Sequence, residues 1–90
     1  MIDIYITYID DTFKERIEDL KSLNSLFVHF INENTRKGLK EGYKLRSHWG
    51  ATLSPFILIT KDNVPIKAFY SESKSDLVQD LNNFLKNYDN

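Results

Sequence analysis

The 90-residue sequence predicts one α/β domain with the element order β-α-β-α-β-β-α, in which a four-stranded mixed sheet is flanked by helices. Three observations carry this. Ile2, Ile4, Ile6 and Tyr8 alternate with Asp3, Tyr5 and Thr7, the period-2 pattern of a strand, and a helical apolar stripe follows at once. The next apolar run, Leu26–Ile31, is β-branched and aromatic, so strand, helix and strand form a βαβ unit. Two more strand-like runs, 55–60 and 65–70, are then separated by turn residues and followed by the most regular helix of the chain.

Taken in order, Asp10, Asp11 and Thr12 offer N-cap oxygens, and Glu15 stands three residues after Thr12 at capping-box spacing. Phe13, Ile17 and Leu20 follow at i, i+4 and i+7, the apolar stripe of a helix that ends near Leu23-Asn24. The nearly continuous apolar character of Leu26–Ile31 predicts a central strand covered on both faces, parallel to the first strand through a right-handed crossover. The stretch from Asn32 to Gly50 is polar and helix-leaning, with Leu39, Tyr43, Leu45 and Trp49 pointing inward. Gly38 and Gly42 weaken that helix and leave two short helices or one late helix as alternatives. Lys61-Asp62-Asn63 supplies turn residues that tolerate left-handed backbone, which makes 65–70 an antiparallel return strand. Pro65, lacking an amide hydrogen, fits the start or edge of that strand. Ser73 caps a last helix whose Leu77, Leu81, Phe84, Leu85 and Tyr88 share one face.

Composition narrows the function classes. A formal net charge of −1 and an isoelectric point near 6.1 give no global pull toward nucleic acid or an anionic membrane. The chain contains no cysteine, which removes disulfides, thiolate nucleophiles and zinc–thiolate sites together. The N-terminal residues have neither a basic n-region nor a continuous apolar h-region, and no apolar run reaches the length of a membrane span, about 20 residues. The expectation is a soluble, cytoplasmic domain without a cofactor.

The run His48-Trp49-Gly50-Ala51-Thr52-Leu53-Ser54-Pro55-Phe56-Ile57-Leu58-Ile59 resembles the helix end, aromatic-Gly turn, Ser/Thr-Pro and apolar strand of the thioredoxin/glutaredoxin family. Together with the element order, the resemblance extends over the whole chain, residues 1–90, as a single thioredoxin-like domain; at residue level it is carried by 48–86. It implies a cis peptide bond before Pro55, beside the position where the family keeps its active site. Two departures matter. The family's Cys-x-x-Cys should fall near Asp10-Asp11-Thr12-Phe13, where there is no sulfur, and Tyr70-Ser71-Glu72 stands where the family has a glycine soon after its fourth strand. Thiol–disulfide exchange is therefore excluded. The chain is also similar to small thioredoxin-like proteins encoded by tailed phages, a likeness that no particular motif carries.

The resemblance implies that the backbone of Ser54, before Pro55, lines a groove for a peptide or for glutathione. The alternative is a proline retained as a fold-forming turn after its partner cysteines were lost. Ser75-Asp76, in the first turn of the last helix, corresponds to the place where glutaredoxins hold the γ-glutamyl group, although an acidic residue there is also ordinary helix-terminus chemistry. Asp10, Asp11 and Asp3 are read as capping and surface carboxylates rather than a cation site, because adjacent residues on a turn seldom converge. His29 is expected to be buried and hydrogen-bonded, and His48 to lie on the surface. Arg36, Lys37, Lys40, Lys44 and Arg46 place five basic residues within eleven positions, opposed only by Glu41. The resulting expectation is a non-catalytic binding or structural module. It would dock a protein partner or a second copy through Ser54 and Pro55, through the basic segment, or through exposed Tyr70, without engaging membrane, nucleic acid or glutathione. The competing reading is a glutathione-binding or other non-thiol enzyme that uses the proline cleft.

Overall fold

The computed structural model describes residues 2–21, 27–70 and 73–88. Seven elements follow in the order β1 (Ile2–Tyr8), α1 (Asp11–Lys21), β2 (Phe27–Asn32), α2 (Arg36–His48), β3 (Phe56–Lys61), β4 (Val64–Tyr70) and α3 (Lys74–Tyr88). The expected element order and mixed four-stranded sheet are both present. The predicted α1 end at Leu23-Asn24, the residue Leu26 and the pair Ser71-Glu72 lie outside the described residues, as do the side chains of Leu20 and Tyr88.

The sheet order is β2-β1-β3-β4. β1 pairs parallel with β2, antiparallel with β3, and β3 pairs antiparallel with β4. The β3–β4 turn is the two-residue Asp62-Asn63, with φ of 51° and 68°. Positive φ at both positions gives the mirror-image turn whose twist matches that of the flanking strands, and Asp and Asn tolerate it. The β3–β4 register shifts between Ile59 and Thr60, opposite Lys67 and Pro65, so a bulge accommodates Pro65 on an edge strand where its missing amide hydrogen leaves no central ladder bond broken.

Alternation along β1 sorts the core into two layers. Ile2, Ile4, Ile6 and Tyr8 join Ile57 and Ile59 against Phe13 and Ile17 of α1 and Leu77, Leu81 and Leu85 of α3. On the other face, Tyr5, Phe56, Leu58 and Ala68 meet Leu45 and Trp49 at the end of α2 and Ala51 just beyond it. Two helices thus cover one face and a single helix the other. Among the described residues no helix is long and apolar enough to cross a membrane.

Four local expectations are corrected. β2 is an edge strand, not a central one, and Phe27 is 52% exposed; Val28 and Phe30 pack on the core, but among the described residues no strand lies beyond β2. A continuous apolar run reports two apolar faces and is silent about which neighbours a strand acquires. His29 is not buried: its side chain is 45% exposed, stacked on Tyr5 with ring centroids 4.6 Å apart, and its Nε2 lies 2.9 Å from Asp3 Oδ1. α1 begins two residues earlier than the Thr12–Glu15 capping box implied, since the Asp10 carboxylate accepts from the Thr12 N–H at 2.9 Å and Asp11 and Thr12 are already helical.

The fourth correction concerns α2, which is one helix of 13 residues, capped by Thr35 Oγ1 accepting from the Gly38 N–H. Leu39 and Tyr43 point outward rather than inward, and the buried stripe is Gly38, Gly42 and Arg46. The glycines are contact surfaces here. A Cβ on Gly38 would fall on the Asn32 carbonyl, and one on Gly42 would lie 2.6 Å from Glu33 Cγ. The helix can approach the end of β2 this closely only where it has no side chain.

Candidate functional site

The end of β1 and the start of β3 lie side by side, because Thr7 pairs with Phe56 in the antiparallel ladder. Thr7 is fully buried, and its Oγ1 accepts from the Phe56 N–H at 3.1 Å and lies 3.1 Å from Ser54 Oγ. One β1 hydroxyl thereby fixes the residue that follows Pro55 and the residue that precedes it. The Ser54–Pro55 peptide bond is cis, as the resemblance implies, and Ser54 itself lies beyond the last ladder pair.

Across from this loop the chain leaves β1 through Ile9 and turns into α1 at Asp10. The Asp10 carbonyl accepts from the Phe13 and Lys14 amides at 3.1 and 3.3 Å while its carboxylate takes the Thr12 amide, so Asp10 is the helix cap expected of it. Between the two loops lies a groove of about 180 Å³ lined by Ile9, Asp10, Phe13, Ser54 and Pro55. Asp10 and Phe13 also line an adjoining hollow of about 230 Å³ with Thr12, Arg16 and Ser75. The shared residues set the two hollows side by side, the second reaching the first turn of α3 and the first forming the groove between the Pro55 loop and the first turn of α1. The groove's apolar walls are Phe13 and Pro55, both buried, and Ile9, which is 53% exposed on the rim. The groove is suited to holding an extended chain with an apolar side chain over Pro55.

The residues singled out in the sequence separate into distinct places. Ser54 and Pro55 form one wall of this groove. Tyr70 lies elsewhere, tilted against Phe56 and lining a hollow of about 310 Å³ with Trp49, Pro65, Ile66, Lys67 and Ala68 on the α2 side of β4. Arg36, Lys37, Lys40 and Lys44 are exposed on α2, with Lys37 4.0 Å from Glu41. Arg46 is parted from them. It is buried and forks Glu33, with Nη2 2.7 Å from Oε1 and Nε 3.0 Å from Oε2, and its Nη1 donates to the Thr52 carbonyl at 2.8 Å. This bond ties the end of β2 and the end of α2 to the loop that leads to Ser54-Pro55. Asp3 is engaged by His29, away from Asp10 and Asp11, and among the described residues no three His, Asp or Glu side chains gather as metal ligands would.

Sequence reasoning missed Thr7, Ile9 and Glu33. Ile9 does leave a trace: it follows Tyr8 directly and breaks the strand alternation, so it belongs to neither face of β1. Thr7 and Glu33 carry no comparable signal, because their partners are 47 and 13 residues away.

No protein-family model and no curated protein matches this chain. Among solved structures it is similar to one described as the crystal structure of a designed protein, with a TM-score of 0.62 and 16% identity, over 93% of this chain and 76% of that one. At that identity the likeness extends to the α/β fold alone.

Proposed function

We propose that this chain is a redox-inactive, thioredoxin-like binding module, non-catalytic, that receives an extended segment of a protein partner in the groove beside Pro55. The single observation that carries the reading is the groove between the Ser54-Pro55 loop and the first turn of α1, with exposed Ile9 on its rim and a second hollow beside it. The order β2-β1-β3-β4, with Pro55 leading into an inner strand, supports the thioredoxin-like assignment. The absence of cysteine removes the family's reaction and leaves its peptide-receiving surface. Backbone groups just outside a ladder, flanked by a pocket for a side chain, are the elements from which extended-peptide recognition is built.

The test is selection from a random peptide library on the full chain, followed by amide chemical-shift mapping with the selected peptides. Shifts centred on Ile9, Asp10, Ser54 and Phe56, abolished by Ile9→Arg, are expected. Glutathione at millimolar concentration should leave Asp10, Ser75 and Asp76 unmoved; shifts there would favour the glutathione-binding enzyme instead. Peptides that bind only away from the groove would refute the reading.

A further inference from the structure

The outer surface of α2 is organised in two parallel rows. Leu39 and Tyr43, spaced i, i+4, form an apolar row and are 52% and 64% exposed. Beside it, Arg36, Lys40 and Lys44 form a basic row at the same spacing, with Lys37 behind them. The opposite side of the helix is committed to the sheet through Gly38, Gly42 and Arg46. Residues 36–46 hold five of the twelve basic residues of the chain and one of its thirteen acidic ones. Among the described residues, no carboxylate pairs with Arg36, Lys40 or Lys44.

An ordinary solvated helix face interleaves opposite charges at i, i+4. Here two successive like-charged pairs, Arg36–Lys40 and Lys40–Lys44, repel each other along one row, and the neighbouring row exposes two large apolar side chains. Both features are unfavourable in the isolated chain. Both are relieved by one kind of occupant, which brings carboxylates to the basic row and apolar side chains to Leu39 and Tyr43.

We infer that the outer face of α2 is a docking surface for an acidic amphipathic protein segment, with its apolar residues on Leu39 and Tyr43 and its Asp or Glu side chains along Arg36, Lys40 and Lys44. Charge complementarity identifies the occupant as acidic, and the apolar row identifies it as a protein rather than a bare polyanion. A lipid surface fits less well. An interfacial helix turns a broad apolar face to the bilayer, whereas the sheet-facing side of α2 is occupied and the chain as a whole carries a net charge of −1. The surface is formed by α2 residues alone, so it stands or falls independently of the Pro55 groove.

The probe is a fluorescent helical peptide with Leu and Phe at i, i+4 beside a row of Glu, compared with its Gln counterpart, titrated into the full chain. The Glu peptide is expected to bind, to weaken steeply with added salt, and to shift the amides of Leu39, Lys40, Tyr43 and Lys44. The double variant Lys40→Glu/Lys44→Glu should weaken binding by about tenfold or more, since it converts attraction into repulsion on an exposed face. Tyr43→Ser should weaken it as well, while Ile9→Arg should leave it unchanged. All four changed positions are exposed, and an unaltered thermal melt checks that the variants remain folded. Equal binding of the Glu and Gln peptides, indifference to the charge reversal, or no peptide binding would overturn the inference. So would capture of phosphatidylglycerol vesicles or a single-stranded oligonucleotide by a chain that ignores the peptide.

Discussion

Replacing Arg46 by Met removes one half of a buried ion pair and leaves the other half in place. The Glu33 side chain is 1% exposed, lies against Gly42, and is forked by Arg46 at 2.7 and 3.0 Å. Without the guanidinium, that carboxylate keeps its desolvation and loses its counterion, a change that costs about 3–5 kcal/mol. The Thr52 carbonyl loses its charged donor at 2.8 Å as well. For a domain of this size the total stability is about 5–13 kcal/mol, so the variant should forfeit about a quarter of it or more. At about 4–8 °C per kcal/mol, the melting temperature should fall by roughly 12–40 °C. Urea denaturation followed by far-ultraviolet circular dichroism measures the loss, and a double-mutant cycle with Glu33→Leu apportions it. The double variant should be less destabilised than the two single variants added together, because no charge remains buried alone. A loss below about 1 kcal/mol for Arg46→Met, or strict additivity in the cycle, would show that the pair does not fasten α2 and the 51–54 loop to the sheet.

Three other outcomes follow from the same packing. Thr7→Val should destabilise by about 1–3 kcal/mol, since it strips the Phe56 N–H of its acceptor at a buried site, and hydrogen exchange at Phe56 should accelerate. Gly38→Ala should lower stability by about 1–3 kcal/mol in chemical denaturation, because its Cβ meets the Asn32 carbonyl and overrides a helix-propensity gain of about 1 kcal/mol. Thr60→Val should leave stability unchanged or raise it by up to about 1 kcal/mol in the same assay, since Thr60 Oγ1 is buried with no partner among the described residues.

Much of the frame was legible from local chemistry. The β1 alternation, the leucine face of α3, its Ser73 cap and the Asp62-Asn63 turn depend on neighbours within a few residues, and each stands where its pattern put it. The candidate site was legible only in part. Ser54 and Pro55 stand out in the chain, but the facing wall of Ile9, Asp10 and Phe13 becomes a wall only when β1 and β3 lie side by side. The Thr7 hydroxyl that holds the loop looks like any strand threonine until Ser54 and Phe56 arrive beside it.

By itself, the sequence determined the order of helices and strands, which residues form apolar rows, and that no thiol chemistry occurs. Periodicity and composition are properties of neighbours along the chain, and they survive whatever the fold does. Tertiary structure alone decided that β2 lies at an edge, that His29 stays exposed on Tyr5, and that the inner face of α2 consists of glycines and an arginine rather than Leu39 and Tyr43. The physical reason is common to all three. Burial is settled by partners distant in sequence, so Glu33 beneath Gly42 draws Arg46 inside, and the closeness of that approach turns the apolar row of α2 outward.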